Sequence, residues 1–404
     1  MRTAWLNDAA VERWDVIVVG SGPAGTAAAL RLAQREPGMA SRILLLEKAR
    51  HPRDKICAGG VIPRAAALLG ELGVPFDVPQ ARVDRARVGV PGRWLDVEGR
   101  DACRVVRRRE FDARLADAAR ARGVALREDA RVVAVARDEH GVRVETEGAT
   151  CWAPVVIGAD GSGSLVRRAV VPGDGGVVAR AVMCDVPVSA CGWDGVAARR
   201  YEFDFGGVVR GLRGYAWSFP CVIDGMPHVN AGVYALPPVD GAALQEALAR
   251  ELGRIGAPAM RWRAFPIRTW TPETVVAAPR VLLAGDAAGT DPLMGEGISF
   301  ALEYGVLAAD AIADARRTGD WGFAGYARAV RHGPIGCKLR RLGQAATLFY
   351  GRHHELWFRV AGVSRRAQRI GMAWFNGVDD WDRRSPWAAL AELAWPRGVG
   401  RASA

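Results

Sequence analysis

Apolar residues along this chain fall into two spacings, and the spacing changes with position. Residues 14–19 are a short apolar run, read as a strand buried on both faces of a parallel sheet. An Ala- and Leu-rich stretch, residues 23–35, reads as a helix, and a run at 42–46 reads as the next strand. Runs at 155–157 and 281–284 have the same strand-like character. Elsewhere the pattern is that of hairpins: residues 82–97 turn at Pro91-Gly92, and 131–136 with 142–147 turn at His140-Gly141. Residues 179–186, 196–203, 215–221, 229–234 and 260–265 are further β-like runs, interrupted by one helical stretch at 241–252. A long helix is expected from Ile298 to about residue 317. These elements predict an α/β fold. A discontinuous domain takes residues 1–75, 100–170 and 271–330. A second domain, on an antiparallel sheet, takes 76–99 and 171–270, and 331–404 form a helical segment.

Three of the apolar runs end in glycine or aspartate, and that is where chemistry enters. The first opens into Gly20-x-Gly22-x-x-Gly25. Gly20 permits a tight turn, Gly22 lets backbone approach a diphosphate, and Gly25 lets helix and strand pack closely, with the helix N-terminus facing the negative charge. Glu47 ends the second strand, 22 residues after Gly25, near the separation of ~20 expected of a carboxylate that binds ribose hydroxyls. The second run ends in Asp160-Gly161 and the third in Gly285-Asp286. Either Asp alone reads equally well as the cap of a turn. After Asp286 comes Thr290-Asp291-Pro292-Leu293-Met294-Gly295-Glu296-Gly297, leading into the long helix. Gly295 and Gly297 would let a flat ring approach the backbone, and the helix N-terminus would favour negative charge on a reduced flavin. One such loop is weak evidence; the three in this order point to one bound FAD. There is no second Gly-x-Gly-x-x-Gly before a strand-helix unit, hence no dedicated nicotinamide domain.

The set resembles the flavoprotein monooxygenase and reductase superfamily, with its glutathione-reductase-like FAD-binding Rossmann domain. The resemblance implies that Glu47 holds the adenosine ribose and Asp286 the ribityl chain. It also implies a cofactor contact from Arg108, in an Arg-x-x-Phe-Asp pattern flanked by Arg107 and Arg109. The cofactor-facing positions expected are Gly20, Gly22, Ala24, Gly25, Glu47, Lys48, Arg108, Asp160, Gly161, Gly285, Asp286, Pro292, Gly295, Gly297 and Ile298.

Lys55-Ile56-Cys57-Ala58-Gly59-Gly60 and Tyr215-Ala216-Trp217-Ser218-Phe219-Pro220 narrow the branch, because both resemble segments of the geranylgeranyl reductase family. One departure is Ala58, where many members have Gly directly after the Cys. That family implies saturation of isoprenoid double bonds, with Cys57, Tyr215 and Trp217 as the catalytic candidates and NAD(P)H or ferredoxin as reductant. An isolated alkene has no electron-withdrawing neighbour, so a proton must build cation character before hydride arrives. At reference values of ~8.5 and ~10, Cys57 and Tyr215 are weak acids for that task. The plainer readings stay open: alternating aromatics are what a half-buried strand looks like, and Cys57 is a small hydrophobe. The rival activity is that of an FAD monooxygenase or halogenase, although a halogenase would be expected to show Trp-x-Trp-x-Ile-Pro in place of the Tyr215 segment.

The 404 residues suffice for two domains. The seven cysteines are scattered, without metal-ligand spacing or Cys-x-x-Cys, which fits a reducing compartment and predicts no metal. Only a short charged lead precedes the first strand, so no signal peptide is expected, nor any transmembrane helix. The formal charge of +11 is concentrated at the C-terminus. Residues 331–404 hold 13 Lys/Arg, five Asp/Glu and five tryptophans: Trp357, Trp374, Trp381, Trp387 and Trp395. Such a segment fits a cytoplasmic protein that touches the inner face of the membrane, or a helical cap with a solvated Arg face. No nucleic-acid recognition motif is present.

Overall fold

The computed structural model of the chain describes residues 11–376, apart from 172, 174 and 175. At its centre lies a six-stranded sheet in the spatial order Ala277–Ala278, Val281–Leu283, Val156–Gly158, Val16–Val19, Ile43–Leu46, Ala125–Arg127. All pairs are parallel except the first, which is antiparallel. Val16–Val19 and Ile43–Leu46 are buried at every position, which explains why these strands read as unbroken apolar runs rather than alternating ones. The helices Pro23–Arg35 and Ile298–Thr318 pack closely against each other: a Cβ on Gly305 would meet the Ala24 carbonyl oxygen at 2.4 Å.

Below the ring-facing end of this layer spreads an eight-stranded sheet, in the order Arg263–Arg268, Val178–Pro187, Met226–Ala235, Gly214–Ile223, Arg200–Asp204, Gln80–Val90, Arg93–Val106, Gly60–Val61. It is not wholly antiparallel as expected. Arg200–Asp204 runs parallel to Gln80–Val90, with Glu202 opposite Arg87. The two strands are separated by more than a hundred residues of other structure, so no tight turn dictates their direction. The strand Arg93–Val106 runs past position 99, where the sequence was divided. The run expected at 196–203 is a strand only over Arg200–Asp204, and that at 260–265 is displaced to Arg263–Arg268. A smaller four-stranded sheet carries the hairpin Val132–Arg137 and Val142–Thr146.

The helices Pro334–Phe349, His354–Val363 and Arg365–Phe375 close over the free face of the eight-stranded sheet. The ring of Phe375 lies 5.3 Å from that of Tyr201 and 5.2 Å from that of Phe203. Trp381, Trp387 and Trp395 lie outside the described residues, as does the side chain of Trp374. Among the described residues all seven cysteines are free, and no helix is long and apolar enough to cross a membrane.

Candidate cofactor and substrate site

The first glycine loop is shaped by contacts that a side chain would break. Gly20 has φ +101°, and a Cβ there would meet the Ala159 carbonyl oxygen at 2.4 Å. A Cβ on Gly25 would meet the Gly20 carbonyl oxygen at 1.9 Å, so Gly25 serves packing under the loop rather than the cavity wall. Gly22 caps the helix Pro23–Arg35 without any side-chain hydrogen bond, leaving the first N–H groups free for an anion. The guanidinium groups of Arg108 and Arg53 stand about 4 Å from where a Gly22 Cβ would be, on the same side. Arg108 grips Asp112 through two hydrogen bonds of 2.6 and 2.7 Å, and Arg53 reaches Asp112 at 3.1 Å and Glu47 at 3.1 Å.

Glu47 ends its strand with only 4 % exposure. It accepts from Ser21 Oγ at 2.8 Å and Ser21 N at 3.2 Å. Burial pushes its pKa up, but Arg53 and the Ser21 donors outweigh that and hold the carboxylate below its ordinary range. It is an anionic acceptor at neutral pH, as ribose hydroxyls require. Asp160 behaves otherwise. Its carboxylate accepts from Ser164 Oγ at 2.5 Å and from the N–H groups of Leu165 and Val166 at 2.7 and 3.1 Å. It caps the helix Leu165–Val170, and burial raises its pKa. Asp286 accepts from Ser162 Oγ at 3.2 Å.

These loops enclose a cavity of about 750 Å³. Gly20, Gly22, Ala24, Glu47, Lys48 and Arg108 line one end of it. Asp160, Gly161, Gly285, Asp286, Gly295, Gly297 and Ile298 line it further, together with Cys57, Tyr215 and Trp217. Pro292 is not in the wall. Its carbonyl instead accepts a hydrogen bond from Tyr234 Oη at 3.1 Å. Two neighbours follow suit: Tyr350 Oη donates to the Leu293 carbonyl at 2.7 Å, and Tyr215 Oη to the Met294 carbonyl at 2.6 Å. Three buried tyrosines from distant elements thus hold three successive carbonyls of the ring loop. Tyr215 spends its hydroxyl on this clamp, and burial pushes its pKa far up. Trp217 donates Nε1–H to Asn230 Oδ1 at 2.8 Å, and Asn230 in turn donates to Asp185 at 2.7 Å. The indole lies against Gly232, where a Cβ would come within 2.2 Å of it. A second, apolar cavity of about 350 Å³ runs between the eight-stranded sheet and the C-terminal helices. The two share Phe203, Met294, Glu296 and Phe375 as common wall.

The family model described as FAD binding domain matches residues 13–328. The chain is 34 % identical over 331 residues to a menaquinone reductase of Mycolicibacterium smegmatis, covering 74 % of this chain and 76 % of the relative. It is 32 % identical to a digeranylgeranylglycerophospholipid reductase of Methanothrix thermoacetophila, covering 78 % and 81 %. It belongs to the geranylgeranyl reductase family of FAD-dependent oxidoreductases. Among solved structures, a geranylgeranyl bacteriochlorophyll reductase-like protein of Thermoplasma acidophilum superposes with a TM-score of 0.75 at 20 % identity, over 96 % of this chain and 98 % of that one. The flavin-dependent brominase Bmp2 superposes with a TM-score of 0.71 at 18 % identity, over 95 % and 98 %. At such identities both likenesses speak for the fold alone.

Within this FAD-binding site, two basic residues carried no role in the sequence reading. Arg53 bridges Glu47 and Asp112 beside the diphosphate loop. Lys55 sits with Nζ 3.1 Å from the centroid of the Phe265 ring, and burial pulls its pKa down to about 8 against the opposing charge of Asp286. The signal for Lys55 was its place in the Cys57 segment. For Arg53 there was none, since a lone Arg in a loop after a strand ordinarily points to solvent.

Proposed function

We propose that this flavoenzyme saturates C=C bonds of an isoprenoid chain carried on a lipid, a quinone or a prenyl diphosphate. The observation that carries the reading is the apolar cavity that shares a wall with the FAD cavity. A polyprenyl tail is a flexible hydrocarbon. It fits a groove lined by Val88, Val90, Leu95, Phe205, Leu342 and Phe358 far better than an aqueous cleft. Bound and reduced, FAD supplies a hydride. The protein's part is to seat one double bond at the junction near Met294, keep water out, and provide a proton. Arg341 and Lys338 at the cavity wall offer charge for an anionic head group. The exposed Leu348, Leu356 and Val363 on the helices Pro334–Phe349 and His354–Val363, with Arg359 on the second and Arg352 in the turn between them, support contact with an anionic membrane that holds such a lipid. The glutathione-reductase-like description and the division into a discontinuous FAD domain and a substrate domain belong to this reading. So does NAD(P)H or ferredoxin as reductant.

The test is anaerobic: FAD-loaded protein is reduced with dithionite and mixed with geranylgeranyl diphosphate or a menaquinone. Flavin reoxidation together with products two hydrogens heavier per bond is the expected result. If the alkenes stay unreduced while oxygen and NAD(P)H yield a hydroxylated or halogenated product, the reductase reading is wrong.

A further inference from the structure

Alkene saturation consumes a proton as well as a hydride, and the two candidates offered by the sequence both face the FAD cavity rather than the apolar one. Tyr215 gives its hydroxyl hydrogen to the Met294 carbonyl. Cys57 lies beside the Arg108 guanidinium and accepts the Gly59 N–H at 3.3 Å.

The wall of the apolar cavity contains two carboxyl groups, Asp291 and Glu296. Glu296 uses both oxygens on Ser299 at 2.9 and 2.5 Å, stands at the N-terminal end of the helix Ile298–Thr318, and feels the charge of Lys338. These contacts favour its anion, although burial outweighs them and raises its pKa. Asp291 differs. It is 2 % exposed and accepts from loop N–H groups, those of Leu293 at 2.7 Å, Met294 at 3.1 Å and also Glu296. The buried acids Glu47, Asp112, Glu202 and Glu251 each have an arginine partner. Asp291 has no ion-pair partner among the described residues. Its carbonyl accepts from Gly295 N at 3.1 Å, so it lies one turn from the backbone that would face the flavin ring. The phenols of Tyr234, Tyr350 and Tyr215 fix the loop between. Burial pushes this carboxyl up to about 7, and Glu296 pushes it the same way. Such an acid holds its proton near neutral pH and can still release it.

We propose that Asp291 is the catalytic acid of the alkene reduction, placed in the hydrocarbon channel rather than on the flavin side. This rests on the isoprenoid-reductase reading above. The C=C π pair takes the carboxyl proton to form one C–H bond, the Asp291 O–H bond breaks, and the electron pair stays on the carboxylate. The carbon left electron-poor accepts the hydride from reduced FAD, forming the second C–H bond as the flavin is oxidised by two electrons. Solvent returns the proton to Asp291 before the next turnover. The groups facing it are Glu296 and the phenols of Tyr215, Tyr234 and Tyr350, with Lys338 and Arg341 in the wall of the same cavity.

The test uses full-length, FAD-loaded protein and the variants Asp291→Asn and Asp291→Glu. Asn keeps the acceptor for the Leu293 N–H but has no acidic proton; Glu keeps the acid. After anaerobic reduction, single-turnover reoxidation by geranylgeranyl diphosphate should slow by about 100-fold or more in Asp291→Asn, with Asp291→Glu recovering part of the rate. Affinity for FAD and for the substrate should not change. The wild-type rate should fall as pH rises through about 7, and the residual Asn rate should be flat. Independently of turnover, infrared difference spectra between pH 5 and pH 9 should show a protonated-carboxyl band that Asp291→Asn lacks. Wild-type turnover matched by Asp291→Asn, or a wild-type profile flat over that range, overturns the assignment alone. A wild-type enzyme that reduces no isoprenoid alkene overturns it together with the function it rests on.

Discussion

Replacing Asp291 by Asn should change how stability depends on pH, apart from any effect on turnover. In the folded chain burial holds this carboxyl near 7, against an ordinary value of 3.8. The shift is roughly 3 units, or about 4 kcal/mol at 1.36 kcal/mol per unit. The sign follows from proton uptake. Folding raises the proton affinity of this acid, so between its unfolded and folded pKa values the native state is the more protonated one. Its contribution to stability is fully present below about pH 4 and is lost as pH rises through 7. From pH 5 to pH 8, about two of the three units are crossed, so the wild type should lose about 3 kcal/mol relative to Asp291→Asn. The variant mismatches the Met294 N–H with an amide, but that cost does not depend on pH and cancels in the comparison. So do all titrating groups the two proteins share, apart from Glu296, whose own raised pKa is coupled to Asp291. Urea unfolding of both proteins at pH 5 and pH 8, at matched FAD concentration, measures the difference. A gap between variant and wild type that is the same at both pH values would show that the site is not as dry as its geometry indicates.

Three other outcomes follow from the same geometry. Gly20→Ala should purify without FAD, seen as loss of flavin absorbance, because φ of +101° and a Cβ 2.4 Å from the Ala159 oxygen leave no room for the turn. Glu47→Gln removes the charge from the ribose acceptor and leaves Arg53 half-paired, so FAD affinity of the deflavinated protein, followed by fluorescence quenching, should fall about 10-fold to 100-fold. Tyr234→Phe strands the buried Pro292 carbonyl and should lower unfolding stability by about 1–3 kcal/mol; an unchanged urea midpoint would mean that the clamp contributes nothing.

The cofactor half of the molecule was legible because its signals are local. A buried parallel strand must be apolar throughout, and a loop with φ of +101° or a backbone contact near 2 Å must be glycine, so Gly20 and Gly25 announce themselves within eleven residues. The hairpin Gln80–Val90 with Arg93–Val106 was legible for the same reason, its turn marked by Pro91-Gly92. What escaped depends on distant parts of the chain. The parallel pairing of Arg200–Asp204 with Gln80–Val90 joins two strands whose direction no turn encodes. Asp291 is locally an ordinary turn aspartate, accepting from Leu293 and Met294. What makes it an acid is the lid of Tyr215, Tyr234 and Tyr350 and the helices Pro334–Phe349 and His354–Val363, which exclude water from a loop that sequence alone would leave wet. The chemistry of a carboxyl is thus set here by residues about 40 to 80 positions away. That is why a motif read along the chain located the cofactor while the proton source emerged only from packing.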